Sequence, residues 1–294
     1  MRVNPYPMPD LLAALNQTQL QAQEAALEIA SGKSVNEPSD NPINAALLVE
    51  NNDQATFNTG YLQNLTTING QLSAADSTLS SVQNALQQAI SLGIEGANGT
   101  LSASDQQAVV AQLQSIQSQI ISLANTSYQG NYLFGGTVTS QPPYTASADP
   151  SGVTYNGNSD VNQVSIGNGY QIDINQPGSQ LFSAPNNGVF LALNNLILAL
   201  QSNSGVGAAV NALSAANSYL SVQRVFYGNA MSQVQSQTTY LNAAKLQIAQ
   251  QQNTLAGVDL ATAANNLSQA DTDTQAALEA ISKVGQNNLF DYLT

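Results

Sequence analysis

Two aspartates near the carboxyl end of the chain, Asp271 and Asp273, are a pair of acids that could support acid–base catalysis. Two carboxylates are the minimal apparatus for hydrolysing a glycosidic bond. The surrounding sequence predicts a helix, and positions two apart on a helix point to different faces. We therefore predict that both carboxylates are solvated, and we identify no catalytic residue in the chain.

The segment DPSGVTYNGNSD, residues 149–160, has an acid at each end, as a calcium-binding loop does. An EF-hand loop needs oxygen ligands at positions one, three and five, glycine at position six and glutamate at position twelve. Here Val153 occupies the fifth position, Thr154 the sixth and Asp160 the last. The segment is therefore predicted to be a hairpin turn, and no metal site is expected.

The glycine-rich stretch SYQGNYLFGGT, residues 127–137, could be taken for a phosphate-binding loop. It lacks the lysine and the glycine spacing of such a loop, and it follows a predicted helix instead of a strand. We interpret it as the joint between two parts of the chain. In this interpretation Gly130 ends the helix, Tyr132 and Phe134 pack inward at alternate strand positions, and Gly135 with Gly136 turns the chain. No cofactor is expected here or elsewhere.

The composition restricts the chemistry further. The chain has 294 residues and contains no Cys, His or Trp, which removes thiol and imidazole nucleophiles and the usual zinc ligands. Charged residues make up 8% of the chain and the net charge is −13, whereas about 25% of residues are charged in typical soluble proteins. The basic residues are Arg2, Lys33, Arg224, Lys245 and Lys283. Without clustered cations, neither nucleic acid nor an anionic membrane surface is expected as a partner.

Hydropathy argues against a membrane-inserted protein. No apolar run approaches the ~18 residues of a membrane span. The first residues, MRVNPYPMPDLLAALNQ, contain prolines but no continuous apolar core of a secretory signal peptide. We therefore expect a chain without membrane insertion that is either cytoplasmic or exported without a cleaved signal peptide.

Proline placement and apolar spacing predict the helices. Residues 43–141 and 186–294 contain no proline, so both arms are predicted to be helical. Ser104 is expected to cap the second helix of the first arm. Apolar residues spaced three and four apart, or seven apart, predict seams that pack against other helices. They are Tyr61, Leu65, Ile68, Leu72, Ala75, Leu79, Val82, Leu86 and Ala89, then Val109, Leu113, Ile116, Ile120 and Leu123, and finally Leu213, Leu220, Tyr227, Val234, Leu241, Ile248 and Leu255.

Between the arms the periodicity changes to two. Val164 and Ile166 alternate with polar residues, as do Tyr170, Ile172 and Ile174, and the turn sequence GNG separates the two runs. The sequence thus predicts a small β insertion. The predicted fold is mainly α: a long antiparallel helical bundle or coiled-coil rod, formed by the N- and C-terminal arms, with a small β insertion domain.

The two chain ends are predicted to depend on partners. Residues 11–31 contain too few large apolar side chains to offset the entropy of ordering an isolated helix. The C-terminal segment has the same Ala, Leu and Gln content and is its natural companion. We predict three domains: residues 1–43 with 257–294 as a coiled coil that is disordered until assembly, residues 44–136 with 186–256 as a helical rod, and residues 137–185 as an outward-facing β insertion.

Several segments resemble bacterial flagellins and their relatives. The segment SGKSVNEPSDNP, residues 31–42, is similar to the one that follows the first helix in that family. The segments LANTSYQGNYLFGGTVTSQPPY and GYQIDINQPGSQLF and the ending NNLFDYL resemble the hook-associated branch of the family. The resemblance covers nearly the whole chain, with the segments in the same order.

The resemblance implies a structural adaptor and not an enzyme. Such a protein joins the hook-associated ring to the flagellin filament by helical subunit packing. It is extracellular in the bacterial flagellum and is exported through the flagellar type III apparatus without a cleaved signal peptide. Its implied partners are identical subunits in a ring, the first hook-associated protein, flagellin and an export chaperone. The residues expected to form the assembly interface are Leu15, Ile29, Leu267, Leu278, Ile281, Leu289 and Phe290.

Two other functions stay open at this point. The chain could be filament flagellin itself, which a count of copies per flagellum would distinguish from a junction protein. It could also be a secreted adhesin that uses the β insertion to bind a glycan or a host surface. A stable monomer with ordered ends and saturable binding to cells would favour the adhesin.

The chain departs from the family pattern in its charges. Family members usually carry Arg and a second acid where this chain has Ser34 and Asn41. We expect hydrogen bonds of amide and hydroxyl side chains to replace ion pairs between subunits. One hypothesis is adaptation to an acidic exterior, because a chain with few cations gains little unbalanced positive charge when its carboxylates are protonated.

Overall fold

The computed structural model describes residues 8–98, 101–167 and 169–286, and within them the chain forms seven helices and six short strands. As predicted, the chain is mainly helical, with its strands in a small central insertion. The elements are α1 (Met8–Ser31), α2 (Pro42–Gly96), α3 (Ala103–Ala124), β1 (Ser127–Tyr128), β2 (Asn131–Tyr132), β3 (Tyr144–Ala146), β4 (Val153–Tyr155), β5 (Gln163–Gly167), β6 (Tyr170–Asp173), α4 (Gly178–Leu181), α5 (Val189–Gln201), α6 (Val206–Ala256) and α7 (Leu260–Gln286).

The chain divides into two compact units. Unit 1 consists of residues 1–57 and 243–294, and unit 2 of residues 58–242. Both divisions fall inside long helices, α2 and α6, which each contribute to both units. The three-domain boundaries given above, and the disorder of the ends before assembly, stay predictions.

One hydrophobic cluster forms the core of unit 2. It joins residues of α2, α3, α5 and α6 with side chains from the β insertion. The predicted seams are confirmed, because nearly all their members are buried and the exceptions, Tyr61, Leu123 and Leu255, are partly buried. Heptad spacing therefore identifies the core-facing side of each long helix.

The start of α3 differs from the prediction. Its cap is Ser102, whose side chain accepts a hydrogen bond of 3.2 Å from the backbone N–H of Asp105. The Asp105 side chain in turn accepts one from the backbone N–H of Ser102, which completes a capping box. Ser104 lies inside the helix, so the predicted cap there was wrong by two positions.

Three antiparallel hairpins form: β1 with β2 in the joint, and β3 with β4 and β5 with β6 in the insertion. Strands β5 and β6 lie where the sequence predicts them, but the predicted alternation of burial is not seen. Ile166 and Ile172 are buried, whereas Val164 is partly buried and Tyr170 is 47% exposed. The segment that resembled a calcium loop is a hairpin, as expected. Asp149 accepts hydrogen bonds from the hydroxyls of Ser147 and Thr154, and these bonds lower the pKa of its carboxyl.

The first residues of the joint differ from the prediction. Helix α3 already ends at Ala124, with Asn125 as its C-cap, so Gly130 does not end the helix. Gly130 instead follows Gln129 in the turn between β1 and β2, where both residues have positive φ. Tyr132 ends β2 and is partly buried.

The second half of the joint packs inward. Leu133 and Phe134 are adjacent and both buried, so the predicted alternation was wrong there, because the strand ends at Tyr132 and the chain bends. The Phe134 ring meets Phe182 edge to face at 5.2 Å. Gly135 follows in the bend, and Gly136 has φ +73°, where an added Cβ would collide with Asn158. Gly136 therefore turns the chain, as predicted.

Among the helices within the described ranges, none combines the length and the apolar character that crossing a membrane requires.

Candidate assembly interface

Helices α1 and α7 pack against each other within unit 1. The Thr274 hydroxyl donates to the Thr18 hydroxyl at 3.2 Å, and the backbone N–H of Val258 donates to the carbonyl of Gly32 at 3.3 Å. Since Thr18 precedes Gly32 while Thr274 follows Val258, the two helices run antiparallel.

Both helices present a seam with alternating spacings of three and four residues, the pattern of a coiled coil. All the seam residues are buried or partly buried. On α1 they are Met8, Leu11, Leu15, Thr18, Ala22, Ala25 and Ile29; on α7 they are Ala263, Leu267, Ala270, Thr274, Ala277, Ile281 and Val284.

The fully buried part of this seam is small. Only the alanines Ala25, Ala263 and Ala270 are buried among the described residues of α1 and α7, and the leucines and isoleucines beside them stay partly exposed. Burial of an alanine contributes far less than burial of a leucine, because the free energy scales with apolar area. The pair is therefore held by little buried surface and has apolar surface left for further contacts.

The residues predicted for assembly are distributed unevenly. Leu15, Ile29, Leu267 and Ile281 lie in the α1–α7 seam, each partly buried. Leu278 lies outside the seam and is 50% exposed. Leu289 and Phe290 lie outside the described residues.

A second apolar face of α1 was missed in the sequence. Leu12, Leu20 and Leu27 are 53%, 58% and 48% exposed and point away from the seam. Their spacing of eight and seven residues is the signal that separates them from the seam leucines, because it places them on one side of the helix. We call this face, with the exposed residues Asn16, Gln19 and Gln23 between the leucines, the outer stripe.

Short hydrogen-bonded segments connect the terminal helices to the long ones. Lys33 and Gly257 form an antiparallel bridge, beside which the Ser34 N–H donates to the carbonyl of Ala256 at 2.7 Å. The Asn41 side-chain oxygen accepts from the N–H of Asn44 at 3.0 Å, at the start of α2. Ser34 and Asn41, the two departures from the family pattern, thus take part in hydrogen bonds within unit 1.

Two aspartates stabilise the same connections. The Asp40 carboxylate accepts from the backbone N–H groups of Glu37 and Asn36, at 2.8 Å each, and these bonds lower its pKa. Asp259 accepts from the backbone N–H groups of Thr262 and Ala261 at the start of α7, which lowers its pKa as well. At Asp259 the partial positive charge of the α7 N-terminus also favours a carboxylate.

The two candidate catalytic acids do not form a pair. Asp271 is exposed, whereas Asp273 is partly buried and accepts a hydrogen bond of 2.9 Å from the Gln269 side chain. Over residues 8–98, 101–167 and 169–286, no group of three or more acidic, His or Cys side chains could hold a metal ion.

The fold consists of paired terminal helices, helices with heptad-spaced seams and a small β insertion. It defines a structural protein of the coiled-coil class, in which helices pack through their apolar faces. The family description "bacterial flagellin N-terminal helical region" matches residues 7–139, and "bacterial flagellin C-terminal helical region" matches residues 204–293. The chain belongs to the bacterial flagellin family, which confirms the resemblance.

Two curated relatives share part of the sequence. The chain is 29% identical over 174 residues to flagellar hook-associated protein 3 of Salmonella typhimurium, a match that covers 59% of this chain and 54% of that protein. It is 33% identical over 118 residues to flagellar hook-associated protein 3 of Escherichia coli, covering 40% of this chain and 37% of that protein. The matches thus span about half, or less, of the length of these relatives.

Solved structures share the fold. A putative flagellar hook-associated protein from Vibrio parahaemolyticus superposes with a TM-score of 0.69 at 22% identity, over 74% of this chain and all of that one. FlgL from Xanthomonas campestris gives a TM-score of 0.56 at 16% identity, over 68% of this chain and 97% of that one. At these identities the similarity concerns the fold alone.

Proposed function

We propose that the chain is a structural subunit of the bacterial flagellum that joins the hook-associated ring to the flagellin filament. The observation that carries this proposal is the partial exposure of the α1–α7 seam. Its leucine and isoleucine side chains stay partly exposed and are suited to packing against neighbouring helices. The choice of a hook-associated role rests on the two curated relatives, both named flagellar hook-associated protein 3.

The proposed partners follow from this role. Identical copies would form a ring through their terminal helices, with the first hook-associated protein on one side and flagellin on the other. An export chaperone would hold the chain before assembly. The chain would leave the cell through the type III export apparatus without a cleaved signal peptide and act outside the cell. In this role it needs neither a cofactor nor a catalytic site.

Filament flagellin is the second candidate, because the matching family descriptions are those of flagellin. The two roles differ in stoichiometry: a junction protein is present as a short ring, whereas a filament contains thousands of copies. Quantitative immunoblotting of isolated flagella therefore decides between them.

A charge placed in the α1–α7 seam tests the assembly role. Ala270 is buried in the seam, so Ala270→Glu forces a carboxylate into it, which is strongly unfavourable. Ala264→Glu adds the same charge at an exposed position of α7 and is the matched control. We expect Ala270→Glu to be absent from isolated flagella and the cells to lack filaments, while circular dichroism shows unit 2 still folded. The proposal is refuted if this variant is incorporated as well as the control and supports normal filaments.

A further inference from the structure

Five asparagines of the chain are each followed by glycine, at residues 69–70, 98–99, 156–157, 168–169 and 187–188. In such a step the glycine nitrogen can attack the side-chain carbonyl carbon of the asparagine, because glycine has no side chain to hinder the approach. The attack needs a mobile backbone and an asparagine side chain that no other contact holds. Three of the five steps lie wholly within the described residues, and their surroundings differ.

The first of these three steps is held by a helix. Asn69 and Gly70 lie inside α2, where each backbone N–H donates to the carbonyl four residues earlier. The Asn69 side chain is exposed. Even so, the Gly70 nitrogen cannot turn toward it without breaking the helix.

The step that begins at Asn156 is held by contacts on both sides. The Asn156 side chain donates to the Thr145 hydroxyl at 3.2 Å, and its backbone N–H donates to the carbonyl of Pro143 at 2.8 Å. A Cβ added at Gly157 would lie 2.6 Å from the carbonyl oxygen of Gly135, so neighbouring groups enclose this glycine as well. The side chain and the backbone of this step are therefore both fixed.

The step that begins at Asn187 is the least constrained of the three. Asn187 lies in the turn between α4 and α5 and is partly exposed. Among the described residues, its side chain has no hydrogen-bond partner. The hydrogen bonds of α5 begin where the Ala192 N–H donates to the carbonyl of Gly188 at 3.0 Å, so the helix does not hold the Gly188 nitrogen.

We propose that Asn187 is a site of spontaneous deamidation. The backbone nitrogen of Gly188 loses its proton and forms a bond to Cγ of Asn187, and the side-chain nitrogen leaves as ammonia. One water molecule then opens the resulting succinimide ring. Opening of one C–N bond gives aspartate, and opening of the other gives isoaspartate, in which the main chain runs through the side-chain carbon. The net reaction consumes water and releases ammonia, and it does not depend on the proposed function.

The position of Asn187 gives the reaction a structural consequence. Gly188, the N-cap of α5, makes no side-chain cap hydrogen bond, and the first turn of this fully described helix contains no acid. A new carboxylate beside the positive end of the helix is favourable, so aspartate should be accommodated. Isoaspartate instead lengthens the main chain by one carbon just before Val189 and Phe190, which are completely buried. The two products should therefore affect the start of α5 in opposite directions.

Peptide mass spectrometry tests the proposal on the full-length chain. The folded chain is kept in mildly alkaline buffer, and each sample is digested with pepsin in acid, where the reaction is slow. The mass change from amide to acid locates the site, and fragmentation distinguishes aspartate from isoaspartate. Asn186 is the matched control, because it is exposed in the same turn but is followed by asparagine. A parallel series is run on the chain unfolded in urea.

We expect Asn187 of the folded chain to convert several-fold faster than Asn69, Asn156 and Asn186. In urea the three Asn-Gly steps should convert at similar rates, because the fold no longer distinguishes them. Asn187→Gln should abolish conversion in this turn, because attack on a glutamine requires a larger ring. A rate for Asn187 no greater than that of Asn69 or Asn156 in the folded chain would overturn the proposal.

The products and the pH dependence test the chemistry. Both aspartate and isoaspartate should form, and the rate should rise from neutral to alkaline pH, because the deprotonated nitrogen is the nucleophile. Aspartate alone, or a rate independent of pH, would indicate direct hydrolysis of the amide and would overturn the role of Gly188. Conversion that persists in the Asn187→Gln chain would assign the reaction to Asn186 and would overturn the proposal too. None of these measurements involves flagella, so failure here leaves the proposed function intact.

Discussion

Arg224 on α6 binds Asp76 on α2 through two parallel hydrogen bonds, from Nε to Oδ1 and from Nη2 to Oδ2, each of 2.9 Å. A third bond, of 2.6 Å, runs from Nη1 to the side-chain oxygen of Gln83. Arg224 and Asp76 thus form an ion pair, with both side chains partly exposed. Apolar seams with heptad spacing can shift by seven residues at modest cost, so a polar group at a seam position helps to fix their register. Arg224 has this role between α2 and α6 within unit 2.

Replacing Asp76 by Asn should reduce the free energy of unfolding by about 1–2 kcal/mol, the value of a hydrogen-bonded charge that is partly exposed. Arg224→Lys should have a similar effect, because an ammonium group cannot form the paired bonds of a guanidinium. Urea denaturation followed by circular dichroism measures both. Asp53→Asn removes an exposed carboxylate from the same helix and should leave the stability unchanged. Equal stability of all three variants would show that the ion pair contributes nothing.

The heptad seam of α6 predicts a strong contrast between neighbouring positions. Leu220 is completely buried, whereas Val222 is 66% exposed on the same helix. Leu220→Ala leaves a cavity in the unit 2 core and should cost about 3–5 kcal/mol. Val222→Ala should change the stability by less than about 0.5 kcal/mol. The same urea titration gives both values, and similar losses would contradict the assignment of the seam.

Two glycines of α2 should respond to alanine in opposite directions. A Cβ added at Gly93 would lie 2.8 Å from a methyl of Val210 and 3.0 Å from a methyl of Leu196, so these buried side chains would have to shift. Gly93→Ala should therefore destabilise the chain by about 1–3 kcal/mol. Gly60 has open space at the same position, and Gly60→Ala should raise the stability by about 0.5–1 kcal/mol through helix propensity. Differential scanning calorimetry should show a lower unfolding midpoint for Gly93→Ala and a higher one for Gly60→Ala than for the unchanged chain. A shift of both midpoints in the same direction would contradict the packing at Gly93.

Periodicity was sufficient to predict the helical core because burial there repeats with the helix itself. Leu213, Leu220, Tyr227 and Val234 lie seven residues, or about two turns, apart along one seam. All four are buried, so their spacing alone identifies the face that packs. The same reasoning predicts β5 and β6 as strands, although burial does not alternate strictly along them and the pairing is irregular between Ser165 and Gly167. In both cases the pattern is local in the sequence, and the contact partners need not be known.

The joint and the outer stripe depend on distant contacts that the sequence does not display. Asn125 ends α3 because its side chain exchanges two hydrogen bonds of 2.8 Å with the backbone of Tyr144. Because of these two hydrogen bonds with Tyr144, α3 ends at Asn125 and not at Gly130. On α1, spacing places Leu15 and Leu20 on different faces of the helix, and the position of α7 decides that the face of Leu15 is the seam while Leu20 faces outward.

Acid should loosen the start of α7 only at low pH. The pKa of Asp259 is lower in the folded chain than in the unfolded chain, where it is about 3.9. The carboxylate therefore contributes its full stabilisation above that value and loses it as the pH falls through the lower, folded pKa. In NMR spectra, the backbone amides of Ala261 and Thr262 should keep their chemical shifts between pH 7 and about 5. The chemical shift of the Asp259 side-chain carboxyl carbon should titrate at a lower pH than that of an unfolded aspartate. Asp259→Asn should remove the titration, and an Asp259 pKa above that range would contradict the capping.

Amide hydrogen exchange on the dilute chain should separate the two ends from the core. Among the described residues of α1 and α7 only alanines are buried, whereas the unit 2 core buries leucines on five helices, α2 to α6. Local opening is least costly where little apolar surface is buried. Amides near Ala25 and Ala270 should therefore exchange much faster than those near Leu79 and Leu220, and mass spectrometry of peptic fragments resolves these regions. Incorporation into flagella should slow exchange in α1 and α7 most, because assembly supplies the buried surface that the isolated pair lacks. Protection of α1 and α7 equal to that of the core in the isolated monomer would mean that the ends are ordered without neighbours, and the prediction that they order on assembly would then be wrong.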